Sequence, residues 1–244
     1  MANFVERITD PDAAGELWCG DRTVAVLAAR PQGAAGGVEG VEGVEGVEGV
    51  EGSVALLDLG ADDPALRFVA VLDCAEDAIL VPLLQGAADE VRKAGGSALR
   101  WITEEDTSPG KAAVELGALE SGEVYRWWRR DLPAGVPVRD AVVRQLPSEE
   151  EGVAFRIGTD EAWYDVELDD DRARLVHDRE TDSTADALTA LTSAALHALD
   201  TDHPGLRGAE VNAAPDDEDL HAALRRLGFE ATTSRAVEYT LALV

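Results

Sequence analysis

Ala112-Ala113-Val114-Glu115-Leu116-Gly117-Ala118-Leu119-Glu120 runs into the alternating stretch Val124-Tyr125-Arg126-Trp127-Trp128. About 111 residues later, Gly117 to Gly228, Ala222-Ala223-Leu224-Arg225-Arg226-Leu227-Gly228-Phe229-Glu230 runs into Ala236-Val237-Glu238-Tyr239-Thr240-Leu241. In each copy a helix ends on Leu-Gly and a strand follows. Glycine just past a helix supplies the left-handed conformation that stops it without steric cost, so the strand can begin at once. Two copies of one junction predict one module used twice.

Working outward, the same order recurs in both halves. The first half has apolar or alternating runs at 23–29, 54–59 and 66–72 that predict strands. A helix is predicted over 82–94, with Pro82 at its first position, Leu83, Ala87 and Val91 on one face and Gly95-Gly96 as its stop. A short strand at 99–103 precedes the Leu-Gly helix. The second half repeats the plan, with strands at 153–157, 162–168 and 173–176, a helix over 185–199 that Asp182 or Ser183 can cap, and a strand at 209–212. Residues 11–18 read as a further helix. The proline-rich stretch 132–137 reads as a linker, giving one module over 1–136 and another over 137–244. The fold class is α/β (α+β): two modules, each a mixed, mostly antiparallel sheet with one long and one short helix.

Five copies of Val-Glu-Gly fill residues 38–52 inside a low-complexity segment at 33–52. Glycine at every third position denies it a helix, and one valine per triplet cannot build a core. It reads as a flexible insertion in the hairpin between the first two predicted strands.

Composition removes several function classes. Forty-nine acidic against 21 basic residues give a formal net charge of −28. Such a surface repels phosphate, which argues against nucleic-acid binding and suits a cationic amine or a cationic protein partner. No apolar run approaches the roughly 20 residues that span a bilayer, and no basic cluster followed by an apolar stretch opens the chain. A soluble, cytoplasmic protein is the expectation. Cys19 and Cys74 lack CxxC spacing and read as reduced thiols; His177, His197, His203 and His221 form no metal-ligand pattern. The only basic and aromatic patch is Tyr125-Arg126-Trp127-Trp128-Arg129-Arg130, which alternates across two faces of a strand.

The duplicated order, with Leu227-Gly228-Phe229-Glu230 after a short helix, resembles the GNAT superfamily of acyl-CoA-dependent N-acyltransferases. The tandem arrangement is similar to that of mycothiol synthase and related two-domain members. The resemblance implies transfer of an acetyl or other acyl group from CoA to an amine, with acetyl-CoA or another acyl-CoA as the donor. In the family an Arg/Gln-x-x-Gly-x-Gly/Ala loop opens the long helix and binds the CoA pyrophosphate through backbone N–H groups. Here the corresponding first-half stretch is Ala75-Glu76-Asp77-Ala78-Ile79-Leu80, without the glycines or the arginine and with two carboxylates. The second-half register is Asp182-Ser183-Thr184-Ala185-Asp186-Ala187, which makes Ala185, Asp186 and Ala187 the cofactor-binding candidates.

Counting back from each glycine, the family's Asn and Tyr positions hold Asp106 and Ala113, and Asp217 and Leu224. A general acid would have to come from elsewhere, for example Tyr125 or Tyr239 on the last strands, which read more simply as strand packing. Catalytic residues therefore stay unassigned. Two readings stand: an acyltransferase with degenerate CoA-binding loops, and a non-catalytic GNAT-fold binding or assembly protein.

Overall fold

The computed structural model describes residues 3–8, 22–31, 52–63, 65–74, 77–105, 107–133, 135, 144–147, 153–158, 162–169, 171–177 and 183–243. Most of the Val-Glu-Gly segment and the helix expected over 11–18 lie outside them. The chain divides into two compact units, Met1–Gly122 with Ala236–Val244, and Glu123–Arg235. These units and the sequence halves 1–136 and 137–244 are different divisions of the chain, because the boundary falls after Gly122 and because the last strand is shared: its first residues belong to the second unit and its later ones to the first.

In the first unit, β1 (Asn3–Ile8), β2 (Thr23–Pro31), β3 (Gly52–Asp58), β4 (Phe68–Cys74) and β5 (Ala98–Glu104) lie in that order, with β12 (Glu230–Ala242) beside β5. β2 and β3 pair antiparallel from Thr23↔Leu57 to Ala29↔Gly52, the hairpin expected around the repeat. β5 and β12 pair antiparallel, Leu99↔Leu241 and Trp101↔Tyr239 among them. Helices α1 (Asp77–Lys93) and α2 (Ser108–Leu116) complete this unit. Leu27, Val54, Leu56, Phe68, Leu99 and Trp101 from the strands meet Ile79, Leu83, Leu84, Val91 and Ala113 from the helices, and Val237, Tyr239 and Leu243 close the core.

The start expected at Pro82 needs correcting. α1 begins at Asp77, and Pro82 lies inside it. An interior proline forfeits one helical hydrogen bond and costs about 3 kcal/mol. Ile79 and Leu80 in the extra turn are both fully buried, and together they stabilise by roughly 3–6 kcal/mol. Burial outweighs the proline. The helix stops where glycine permits: Gly95 has φ 79°, and a Cβ on Gly96 would stand 2.5 Å from the Phe68 ring and from Val91.

In the second unit, β12 is followed across the sheet by β6 (Leu119–Asp131), β11 (Gly208–Ala213), β10 (Arg172–His177), β9 (Trp163–Leu168), β8 (Phe155–Gly158) and β7 (Arg144–Pro147). Helices α3 (Ala185–Asp202) and α4 (Glu218–Arg226) pack Leu188, Leu191, Leu196, Leu199, Leu220 and Leu224 onto Phe155, Tyr164, Val166, Leu175 and Val211. Both junction glycines take the left-handed conformation, Gly117 at φ 73° and Gly228 at φ 75°. β1 and β7 are edge strands that the sequence reading did not include. No helix among the described residues is long and apolar enough to cross a membrane.

Candidate functional site

Among the described residues each unit contains one parallel strand pair, and the pairs differ. In the first unit β4 is laddered to β3 along its whole length, Phe68 to Cys74, and β5 is laddered to β12 from Ala98 to Glu104. Between β4 and β5 the ladder registers a single pair, Val69↔Arg100. The two strands part beyond it and leave a cleft of about 280 Å³ lined by Val69, Ala70, Val71, Leu72, Ile102, Thr103 and Pro109.

The walls are apolar. Val71 is 43% exposed and Ile102 48%, an unusual amount of solvent contact for large aliphatic residues in mid-strand. α2 closes one end: a Cβ on Gly110 would collide with the Glu105 carbonyl oxygen, so glycine there lets the helix start settle onto the end of β5 and brings Pro109 to the cleft. Thr103 supplies the only side-chain hydroxyl among the described lining residues. It shares a 2.8 Å hydrogen bond with Thr107, whose hydroxyl donates to the Glu104 carbonyl at 2.6 Å. None of the described lining residues is ionisable.

In the second unit β10 and β11 hold four parallel pairs, Arg172↔Gly208 to Leu175↔Val211. The candidates Ala185, Asp186 and Ala187 form the first turn of α3. There the Ala187 N–H donates to Thr184 Oγ1 at 3.3 Å, and the Ala185 N–H donates to Asp219 Oδ1 at 3.2 Å. Asp186 pairs with Arg226 at 2.6 Å, with both side chains exposed. A helix start attracts anions through its unpaired N–H groups and its dipole; this one already holds the carboxylate of Asp219. In the first-half register, Ala75 and Glu76 lie outside the described residues, while Ile79 and Leu80 face the core.

The other positions the resemblance singled out resolve into structural roles. Asp217 caps α4, accepting from the Leu220 N–H at 2.9 Å, and Ala113 and Leu224 are core; Asp106 lies outside the described residues. Tyr239 stacks on Trp101 with ring centroids 6.1 Å apart, and Tyr125 meets Trp127 edge-on at 5.7 Å. The remaining tyrosine, Tyr164, is buried and shares a 2.8 Å hydrogen bond with Thr192; burial pushes its phenol well above the usual range and keeps it neutral.

The cleft residues were not among the candidates. Their only trace in the sequence is that Val71 and Ile102 break the tie between a buried and a solvated face, which apolar periodicity cannot resolve.

No protein-family model matches the sequence, and no curated protein matches it. Solved structures do. A tandem GNAT protein from the clavulanic acid biosynthesis pathway aligns over 90% of this chain and 83% of its own, at 18% identity and a TM-score of 0.54. A putative acetyltransferase from Pyrococcus horikoshii covers 98% and 89% at 9% identity, TM-score 0.50. A probable N-acyltransferase from Enterococcus faecalis V583 covers 100% and 74% at 7% identity, TM-score 0.50. At these identities the likeness speaks for architecture, and with the duplicated element order it leads to one conclusion: the chain has the GNAT fold in its tandem form.

Proposed function

We propose that the protein is an acyl-CoA-dependent N-acyltransferase whose donor lies in the cleft between β4 and β5 of the first unit. The parting of those two parallel strands after one pair carries this reading. It leaves the β5-facing backbone edge of β4 outside the ladder, beside apolar walls. The pantetheine arm of CoA is an extended chain with two amides separated by saturated carbon, so it can be received as an added strand is, through main-chain hydrogen bonds flanked by apolar contacts. Acyl-CoA supplies the activated thioester. Val71, Ile102 and Pro109 would enclose the arm and exclude water, and the Thr103 hydroxyl can orient a polar group near the reacting end. The chain's charge of −28 favours a cationic amine as acceptor.

A second reading, binding without turnover, is favoured by the character of the described lining residues of the cleft, none of which is ionisable. An acyltransferase of this kind must let the amine shed its proton to water. One experiment separates the two. Acetyl-CoA is titrated calorimetrically into the intact protein and into Val71→Trp, which fills the cleft, and thiol release is then followed over a panel of amines. Binding that Val71→Trp abolishes, with thiol release, supports the transferase; the same binding without release supports the binding protein. Binding that survives Val71→Trp but is lost in Ala185→Glu would move the site to α3 and sink the reading.

A further inference from the structure

The face of the second unit's sheet that turns away from α3 and α4 carries a polar site of its own. Arg129 on β6, Glu210 on β11 and Arg174 on β10 stand in one cross-strand line. Glu210 is 8% exposed and already served: Arg172 Nη1 lies 2.8 Å from one oxygen and Arg174 Nε 3.9 Å from the other. Arg174 lies over the Trp127 ring at 5.3 Å. Asp171 reaches Arg172 at 3.5 Å, and Glu167 stands across from Arg174 on β9. Arg172 and Arg174 are thus matched by carboxylates.

Arg129 is not. It stands directly across from Glu210 but makes no ion pair among the described residues, its Nε is buried without a hydrogen-bond partner, and it lies close over Gly208, where a Cβ would stand 3.6 Å from that Nε. Asn212, two residues along β11 from Glu210 and directly across from Trp127, is 9% exposed, and its Oδ1 is also buried without a partner. One cationic donor and one neutral acceptor are left unsatisfied on diagonal positions of adjacent strands, which stand about 7–8 Å or less apart. A buried polar group without a partner costs free energy that a ligand can recover.

We propose that this face binds a small free amino acid, its carboxylate on the Arg129 guanidinium and its ammonium on Asn212 Oδ1. A guanidinium is matched in shape and charge by a carboxylate. A bare anion would leave Asn212 Oδ1 unserved, and a bare amine would leave Arg129 unserved. The buried Glu210 carboxylate beside Asn212 adds attraction for the ammonium, and Trp127 offers the adjoining apolar surface. This site is independent of the cleft in the first unit.

The test uses the intact protein. Each common L-amino acid, and separately acetate, methylammonium and inorganic phosphate, is titrated by calorimetry into the parent protein, Arg129→Gln and Asn212→Leu. At least one amino acid should bind with micromolar to low-millimolar affinity, and acetate and methylammonium should each bind at least about tenfold more weakly. Each substitution should weaken that amino acid about tenfold or more, the worth of one charge-assisted hydrogen bond. Asn212→Leu removes a buried unpaired oxygen, so its melting temperature should hold or rise while binding falls, which a structural role would not produce. The proposal is overturned if no amino acid binds, if phosphate binds as tightly as the amino acid does, or if binding is unchanged in Arg129→Gln.

Discussion

The two units follow one element order, yet they treat their parallel strands in opposite ways. β4 and β5 part after a single pair and leave an apolar cleft, whereas β10 and β11 stay together for four. The sheet faces follow suit. Around the first pair stand Val69, Val71 and Ile102 with the Arg100–Glu238 ion pair; around the second stand Arg172, Arg174, Glu210 and Asn212. What the units share is the machinery of folding: the left-handed glycine after the short helix, the helix-covered core and the meander of strands. What they do not share is the surface a ligand would meet. The same frame thus carries two different surfaces.

The largest expected effect removes what β12 gives to the first unit. Ending the chain at Arg235 deletes Val237, Tyr239 and Leu243 from that core, a loss of roughly 4.5–9 kcal/mol at 1.5–3 kcal/mol per buried side chain. Amide exchange should show Val54 and Leu99 unprotected while Val166 and Val211 stay protected. Equal loss in both units would break the comparison.

Next comes Gly96→Ala, whose methyl group must displace the Phe68 ring or Val91. Overpacking of this kind costs about 1–3 kcal/mol, and urea unfolding of the first unit should report it.

The twin junctions give the sharpest symmetry test. Gly117→Ala and Gly228→Ala both force a side chain into the left-handed region, at φ 73° and 75°. Each should cost about 1–2 kcal/mol. A Cβ at Gly117 meets open space and one at Gly228 lies 3.4 Å from Arg130, so the two costs should agree closely. A difference of several kcal/mol would show that the junctions are no longer equivalent.

The smallest effect is electrostatic. Hydrogen bonds from Arg126, joined by Arg235, hold the Glu123 carboxyl below its ordinary range. A depressed folded pKa contributes stability that is complete above the unfolded value, about 4.3, and fades as pH falls through the folded one. The ion pairs are a fifth to a third exposed and so are worth only some tenths of a kcal/mol. Glu123→Gln should therefore be slightly less stable than the parent at pH 7, and the gap should close below about pH 4. In the first unit Arg67 depresses the half-buried Asp58 in the same direction.

Much of this frame was legible in the sequence, because glycine at a helix stop and apolar period in a strand are local signals. Gly117, Gly228 and most strands were placed within a residue or two. Pro82 misled because its local rule was overridden by burial of Ile79 and Leu80, a tertiary effect. The cleft was invisible for a deeper reason: whether two parallel strands stay paired depends on their twist and on what settles at their ends, here Gly110 of α2 on Glu105. Arg129 and Asn212 could not be matched either, since they lie 83 positions apart and only the β6–β11 register makes them neighbours.

The sharing of β12 also sets a timetable for the growing chain. When Gly122 leaves the ribosome, the first unit has β1 to β5 and both of its helices, but the edge of β5 that β12 will cover is bare, with Leu99 and Trp101 beside it. An uncovered strand edge invites pairing with other chains. About 120 more residues must be made before β12 can dock, a wait of roughly 6–24 s at usual synthesis rates. A chaperone that shields that edge during the interval would raise the yield of folded protein, and slower translation of the second half would lower it.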